Sequence, residues 1–310
     1  MIGPGPSTEL SETPSIPLLP RDRGLASPSM EGPESSNSEG SPRRSDRENG
    51  ASRILPIPSV GRVFRARRRV RLGEVDASGR LRLDSVARFL QDIATDDSED
   101  LGHQEGQAWV VRRTMLEQRR APHNGDDLDL TTFCSGMGGR WAERRISIAG
   151  PDRASIETVT LWVHLDPVTG RPKALSESFH AAYDEARAGR EVTARQVHEA
   201  VAAEDPDAHS MPWWPRVTDL DVLDHVNNAI AWAVVEQVVA RARARELIHI
   251  DPAGEFRAEV EFRDAVDRAT VLAGVPLTVI YRVVGDVLDI ALWSSDGETV
   301  HVTAQVAPLV

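Results

Sequence analysis

The sequence repeats one order of elements in its two halves. Each half has an extended lead-in, a turn that begins with aspartate, one long helix and a series of strands. The turns are Asp76-x₃-Arg80 and Asp221-x₃-His225, and their aspartates lie 145 residues apart (221 − 76). One helix needs one apolar sheet face to cover it, and a curled antiparallel sheet satisfies both elements. The repeat therefore predicts an α+β fold with two antiparallel sheets, each wrapped around one long helix.

The spacing of apolar residues predicts where the helices and strands lie. Val86, Phe89, Leu90 and Ile93 recur at helical spacing in the first half, with Asp84 as a candidate N-cap. A second helix is predicted over 229–239, and strands over 63–72, 109–118, 128–134, 140–148, 156–165, 258–263, 271–272, 277–284, 287–293 and 300–306.

The first 58 residues differ in composition from the rest of the chain. They hold ten of the 20 prolines, and no aromatic residue occurs before Phe64. Such a segment cannot bury enough apolar surface to offset the entropy lost on ordering, so we expect it to be disordered. The predicted organisation is a tail at 1–58, a first unit at 59–174, a helical or loose connection at 175–212 and a second unit, which carries the site, at 213–310.

The overall composition limits the partners and the compartment. A formal charge of −12 argues against general nucleic-acid binding, and no run of about 18 apolar residues is present to span a membrane. Two prolines between Ile2 and Leu10 interrupt any apolar core of a secretory signal. The single cysteine, Cys134, suits a reducing compartment. We therefore expect a cytoplasmic protein.

The most specific chemical pattern is the turn before the second helix. Residues 219–228 read Asp-Leu-Asp-Val-Leu-Asp-His-Val-Asn-Asn. Backbone N–H groups at a helix start can polarise a carbonyl oxygen, while an adjacent acid/base pair activates water. We therefore expect catalytic roles for Asp221, His225, Asn227 and Asn228. The first half keeps the turn with Arg80 in place of histidine, so the turn itself does not require a histidine.

Several divisions of labour are open within this pattern. His225 could be the general base with Asp221 orienting it, or Asp221 could act on water directly. Asn227 and Asn228 could position water or simply cap the helix. The simplest alternative is that the acids are turn and cap residues and that His225 is a half-buried histidine without a chemical role.

These features resemble the acyl-acyl carrier protein (acyl-ACP) thioesterase family. A sheet around a helix, with Asp-x₃-His and Asn-Asn before that helix, looks like the hotdog fold of acyl thioesterases. Two such units in one chain, with the chemistry in the second, are similar to this family. The resemblance implies a tandem (double) hotdog fold. It is carried by 90–91, 109–113, 125–126, 144–145 and 160–166 in the first half and by 219–221, 225–228 and 260–263 in the second.

The resemblance also implies an activity and a set of site residues. The activity is hydrolysis of fatty acyl-ACP thioesters, with no metal and no organic cofactor. The family's catalytic Asp and His fall on Asp221 and His225, whereas its Asn position holds Leu223 and its Glu position holds Ala265. Asp264 is adjacent to the Glu position, but in a strand its side chain would face the opposite way unless a bulge shifts the register.

Two further surfaces are predicted to meet the substrate. We expect the acyl chain to lie along the helix face of the first unit, formed by Val86, Phe89, Leu90 and Ile93. The strand at 63–72 places Leu72 on its apolar face. Its other face carries Arg65, Arg67, Arg69 and Arg71. This face could attract an acidic carrier protein or the phosphates of CoA, or it could be an ordinary solvated surface.

Three functions are compatible with these predictions. The first is an acyl-ACP thioesterase, and the second is an acyl-CoA thioesterase of the same fold. The third is a non-catalytic module for acyl-thioester binding or dimerisation, which Leu223 and Ala265 would explain. The predicted partners are therefore acyl carrier protein or a CoA thioester, with a homodimer left open.

Overall fold

The computed structural model describes residues 54–102 and 108–309. Most of the tail predicted at 1–58 lies outside these residues. Its last five residues are described, and they have no regular secondary structure. The Leu55 carbonyl accepts a hydrogen bond of 2.9 Å from Arg145 Nε, so the end of this segment is anchored to the first half.

The strands of the described residues form one antiparallel sheet. Their spatial order is β1-β3-β4-β5-β2-β7-β10-β9-β8-β6, so the first five places belong to the first half and the last five to the second. The strands are β1 Phe64–Arg69, β2 Ala108–Arg120, β3 Asp127–Met137, β4 Trp141–Ala149, β5 Ser155–Leu165, β6 His209–Trp213, β7 Phe256–Phe262, β8 Leu277–Val284, β9 Val287–Trp293 and β10 Val300–Ala307.

The prediction of two separate sheets is wrong, because β2 and β7 join the halves. These two strands pair antiparallel over six positions, from Arg113 opposite Glu261 to Gln118 opposite Phe256. An edge strand exposes unpaired N–H and C=O groups, and pairing the two edges satisfies both of them. The sheet is therefore continuous across the repeat.

Two long helices pack against each other on this sheet. The helices of the described residues are α1 Leu83–Asp100, α2 Glu177–Arg187, α3 Ala229–Ala244 and α4 Arg268–Ala273. The apolar sides of α1 and α3 belong to a single core, together with alternate residues of strands from both halves. None of the helices in the described ranges has the length and hydropathy to cross a membrane.

The connection predicted at 175–212 packs on the opposite face of the sheet. Helix α2 contacts β3, and the backbone N–H groups of Val197 and His198 donate to the Glu261 carboxylate at 2.7 and 3.2 Å. Glu261 follows the core residue Val260, so its side chain faces away from α1 and α3. The connection ends in β6, which pairs with β8, so the sheet of the second half begins before residue 213.

Some local predictions are wrong at places where turn and cap residues, rather than the pattern of apolar residues, determine the secondary structure. Residues 271–272, predicted as a strand, lie in α4, whose first turn is capped by the Asp267 carboxylate. Leu72 is 79% exposed, because β1 has already ended and the chain has entered a short 3₁₀ turn. Asp84 lies inside the first turn of α1, and Arg82 is the N-cap.

Candidate active site

The two aspartate-led turns have the same backbone hydrogen bonds. In the second turn, the Asp221 N–H donates to the His225 carbonyl at 2.9 Å and the Asp224 N–H donates to the Asp221 carbonyl at 3.1 Å. Asp224 has a φ of 60°, in the left-handed region that aspartate tolerates better than most residues. The corresponding bonds in the first turn, of 2.8 and 3.0 Å, are made by Asp76, Gly79 and Arg80.

The Asp221 carboxylate closes its own turn. Its Oδ1 accepts a hydrogen bond of 2.9 Å from the Leu223 N–H. The side chain of Leu223, which stands at the family's Asn position, is 52% exposed. Asp221 therefore makes the contact expected of a turn residue without a chemical role. The same contact also fixes the backbone from which the His225 side chain projects.

Asn227 and Asn228 have different positions at the start of α3. Asn227 Oδ1 accepts from the Ala229 N–H at 2.9 Å, which is a capping contact, and from Gln91 Nε2 of α1 at 3.1 Å. The Asn228 side chain makes no capping bond within the described residues. The backbone N–H of Asn228 likewise meets no acceptor in the part of the chain described. This N–H is therefore a candidate donor for a ligand.

A narrow crevice lies beside the start of α3 and has walls from both halves. Of the four residues predicted to hold the acyl chain, Leu90 faces this crevice. Val86, Phe89 and Ile93 are buried in the core that α1 shares with α3. The residues that line the crevice include Leu90, Gln91, Trp162, Asn228, Trp232 and Phe262.

The half-buried His225 lies opposite Asp267, a residue that the sequence reasoning missed. The Val226 N–H donates to the Val266 carbonyl at 2.8 Å, and the Arg268 N–H donates to the Asp224 carbonyl at 2.9 Å. These two bonds flank an antiparallel bridge between His225 and Asp267. The sequence gives little signal for this contact, because 42 residues separate the two positions (267 − 225).

The segment after β7 is not a strand at the position expected for the family's Glu. Strand β7 ends at Phe262, and the Asp264 N–H donates to the His301 carbonyl at 3.3 Å. The Arg263 N–H donates to the same carbonyl at 2.9 Å, so two residues stand opposite one, as in a β-bulge, and strand alternation does not set the direction of the Asp264 side chain. Burial lowers the pKa of His301, although the Asp264 carbonyl bonded to its ring opposes this effect.

The equivalent site of the first half is occupied by an ion-pair cluster around the buried Arg80. The Arg80 guanidinium pairs with Asp76 at 3.0 Å and also with Glu236 of α3. The Glu236 Oε2 atom accepts from the Leu83 N–H at 3.0 Å, so a carboxylate caps the start of α1. At the start of α3 the matching position holds the amide of Gln91. Gln91 and Glu236 are again 145 residues apart (236 − 91), so the repeat contained a signal for both that the sequence reasoning missed.

The arginines of the first strand lie far from this turn. Arg65, Arg67 and Arg69 are exposed on β1, as predicted, and Arg71 is exposed just after it. Strand β1 is an edge strand, five places from β7 in the sheet. Ion pairs to acids of β3, at 2.8 and 3.4 Å, partly neutralise this face and involve Arg67 with Asp129 and Arg69 with Asp127.

The described residues give little support for a metal site or for a cysteine nucleophile. Within residues 54–102 and 108–309, no group of three or more His, Cys, Asp or Glu side chains is arranged to hold a metal ion. Burial raises the pKa of Cys134 to about 11, so the thiol is protonated at neutral pH and is a poor nucleophile.

Comparisons with known proteins agree with the resemblance seen in the sequence. Residues 61–183 match the model of the acyl-ACP thioesterase N-terminal domain, and residues 203–283 match that of the C-terminal domain. Oleoyl-acyl carrier protein thioesterase 1 of Arabidopsis thaliana is 25% identical over 245 residues, which cover 70% of this chain and 66% of the relative. An uncharacterised protein of Mycobacterium tuberculosis is 25% identical over 236 residues, 76% of this chain and 88% of its own length.

Two solved structures share the fold. The 12:0-ACP thioesterase from Umbellularia californica superposes with a TM-score of 0.61 at 19% identity, covering 79% of this chain and 93% of that one. An acyl-ACP thioesterase from Bacteroides thetaiotaomicron gives a TM-score of 0.59 at 14% identity, covering 79% and 97%. The likeness therefore extends over both halves of the sheet.

Proposed function

The chain belongs to the acyl-ACP thioesterase family, and from this premise we propose that it hydrolyses the thioester at the turn before α3. As a member of that family it is a thioester hydrolase that releases a fatty acid from acyl-ACP. We choose this site because the starts of α1 and α3 differ. A carboxylate caps α1, whereas α3 begins beside a histidine and an amide.

This difference decides which helix start can stabilise an oxyanion. The positive end of a helix favours an anion, and the Glu236 carboxylate already fills that place at α1. At α3, the Asn228 N–H is available beside the crevice. We place the thioester carbonyl oxygen at this N–H, because one such donor is worth about 10²–10³ in rate.

The reaction then follows from the position of His225. The imidazole takes a proton from water as the water oxygen attacks the carbonyl carbon. The tetrahedral intermediate collapses with cleavage of the C–S bond, and the imidazolium returns its proton to the leaving thiolate of the carrier. The products are a fatty acid and the free thiol of ACP. Asp221 supports this chemistry by closing the turn that positions His225.

We extend the proposal to the architecture and the surroundings. The two halves are hotdog units joined edge to edge through β2 and β7, and the repeated turn followed by a long helix supports this interpretation. The domain boundaries at 59–174 and 213–310, the cytoplasmic location, the homodimer and the acyl channel along α1 remain predictions. The proposed docking surface for the carrier protein is the exposed face of β1, which carries Arg65, Arg67 and Arg69.

The test is steady-state hydrolysis of acyl-ACP by the wild type, Asp221→Asn and His225→Ala. Loss of the general base is expected to reduce kcat about 10²–10⁴-fold in His225→Ala. Asp76→Asn is the matched control, because it removes the equivalent carboxylate of the first turn and should keep the rate within about twofold. Wild-type rates in both Asp221→Asn and His225→Ala would refute the site.

The carrier is tested in parallel with acyl-CoA of the same chain length. We expect kcat/KM to be higher for acyl-ACP than for acyl-CoA. A preference for acyl-CoA would replace the carrier in this proposal and leave the site unchanged.

A further inference from the structure

Asp267 and His225 are held side by side by the backbone. The bonds from Val226 to Val266 and from Arg268 to Asp224 lie on either side of the pair. This pattern defines a non-hydrogen-bonded antiparallel pair, in which the two Cα atoms are about 4.5 Å apart and the side chains share one face. The geometry therefore brings the Asp267 carboxylate and the His225 imidazole to the same side of the turn.

The Asp267 carboxylate is fixed in place and ionised. Its Oδ1 accepts from the Thr270 N–H at 2.8 Å and from the Thr270 hydroxyl at 2.7 Å. These two bonds are the main reason why the pKa of Asp267 is lowered, and the positive charges that His225 and His301 can carry lower it further. One oxygen is thus committed to capping α4, and the negative charge of the group is near enough to His225 for the two side chains to interact electrostatically.

The first unit provides an internal comparison. The same bridge occurs there between Arg80 and His123, flanked by a bond of 2.8 Å from the Leu81 N–H to Pro122 and one of 2.9 Å from the Asn124 N–H to Gly79. The residue opposite Arg80 is therefore a histidine rather than an acid. A carboxylate at this place occurs in the unit that has His225, which links it to the histidine rather than to the turn.

We propose that Asp267 is a positioning residue that orients His225 and stabilises its protonated form during thioester hydrolysis. The proposal rests on the proposed role of His225 as general base. When water gives up its proton, the imidazole becomes a cation, and a fixed anion beside it favours that state. Asp267 thereby provides the negative charge that Ala265, at the family's Glu position, cannot provide.

Other charged groups surround His225 and must be separated from this effect. Its own turn carries Asp221 and Asp224, and the charge of Asp224 is balanced by Arg268 of α4 at 2.8 Å. The loop after β7 contributes Asp264, and β10 contributes His301, which burial keeps neutral at pH 7 by lowering its pKa. Asp267 is therefore the carboxylate to vary.

The experiment compares Asp267→Asn with Asp267→Glu in the full chain. Asparagine caps a helix as well as aspartate does, so Asp267→Asn removes the charge and keeps the cap. We expect kcat/KM at neutral pH to fall about tenfold and the acid limb of its pH profile to move to lower pH by roughly half to one unit. Asp267→Glu should recover most of both. Asp224→Asn is the matched control, because that carboxylate is already paired, and it should leave the profile unchanged.

An NMR titration of the His225 ring protons, assigned with His225→Ala, gives a readout that requires no turnover. Its midpoint should move to lower pH in Asp267→Asn and stay in place in Asp224→Asn. If both the profile and the titration of Asp267→Asn match the wild type, Asp267 has no role beyond its cap. If His225→Ala keeps full activity, the proposed function of His225 fails, and the titration still decides whether the two side chains interact.

Discussion

At the scale of single residues, the two helix starts differ in the side chain that reaches them from the other helix. Gln91 of α1 donates to Asn227 at the start of α3, and Glu236 of α3 accepts from the Leu83 N–H at the start of α1. An amide leaves the positive end of α3 free for an anion, whereas a carboxylate occupies that end of α1. The crossed contacts thus support the proposal that the chemistry takes place at the start of α3, while the start of α1 has a stabilising role.

We expect Gln91→Glu to inactivate the enzyme with little loss of structure. The new carboxylate would face the start of α3, where negative charge develops during hydrolysis, and would repel it. Since an oxyanion donor contributes about 10²–10³ in rate, the kcat of Gln91→Glu should fall about 10²-fold. The kcat of Gln91→Leu, which adds no charge, should fall less. Steady-state kinetics with acyl-ACP and the thermal midpoint of unfolding check the two parts of this prediction.

The matched control for that change is Glu236→Gln. It leaves the buried Arg80 with Asp76 alone and should lower the free energy of unfolding by about 3 kcal/mol while kcat is kept. Equal kinetic losses in Gln91→Glu and Glu236→Gln would show that the two helix starts are not functionally different.

At the scale of elements, one buried carboxylate joins the end of α1 to β4 and α2. Asp97 accepts from Arg144 Nη1 at 2.6 Å, from the Tyr183 hydroxyl at 2.6 Å and from Arg62 Nε at 2.7 Å. Burial alone would raise the pKa of Asp97, but Arg144, the Tyr183 hydroxyl and Arg62 together hold it below its ordinary value. The connection between the halves is therefore attached to the helix that forms part of the crevice.

Asp97→Asn should weaken the fold in a pH-dependent way. Removing the anion takes away the ion-pair partner of the largely buried Arg144 and should cost about 3–5 kcal/mol in the free energy of unfolding at neutral pH. The pKa of Asp97 is lower in the folded state than the unfolded value of about 3.9, so its contribution is complete above that value. It is lost as the pH falls through the folded pKa. Urea unfolding of both proteins should thus give a constant difference near neutral pH and a smaller one in acid.

The elements were predictable from the sequence where their signal is local. Both long helices were predicted within a few residues at their starts, and so were the strands with clear alternation. Strand β6 was not predicted, because most of it falls in the segment assigned to the connection, and its Pro212 is tolerated since β6 is an edge strand. The β2–β7 pairing is a contact between halves, and no local pattern specifies it.

The candidate site shows the same limit. The turn from Asp221 to His225 could be predicted, because consecutive residues form it. Gln91 and Asp267 meet this turn only through the packing of α1 on α3 and through the bridge before α4. The repeat distance could have indicated Gln91, whereas Asp267 required the folded backbone.

At the scale of the whole molecule, neither half is complete alone. The core contains α1, α3 and strands from both halves, and β2 and β7 would each become an open edge if the halves were separated. Such edges, together with exposed apolar helix faces, favour aggregation. The repeat is therefore a unit of sequence rather than a unit of stability.

This arrangement predicts one cooperative unfolding transition for the full chain. The calorimetric enthalpy should equal the van't Hoff enthalpy, as it does for a two-state protein. Fragments 54–174 and 209–309, the second of which keeps β6, should be insoluble or lack dispersed NMR spectra when expressed singly. Two resolved transitions in the calorimeter, or a fragment that folds independently, would contradict the shared core.

The crossed contacts of Gln91 and Glu236 also bear on why such an enzyme keeps two copies in one polypeptide. In an assembly of two identical short chains, each helix would receive the same side chain from its neighbour, so both ends would be reactive or both would be inert. Covalent fusion of the copies removes that constraint. Each copy can then acquire mutations that suit its own role. At the start of α1, the ion pairs of Arg80 with Asp76 and Glu236 stabilise the fold in place of a reaction centre. Under the proposed function, the first copy can thus specialise in support and in contacts with the carrier and the acyl chain, while the second keeps the reaction centre.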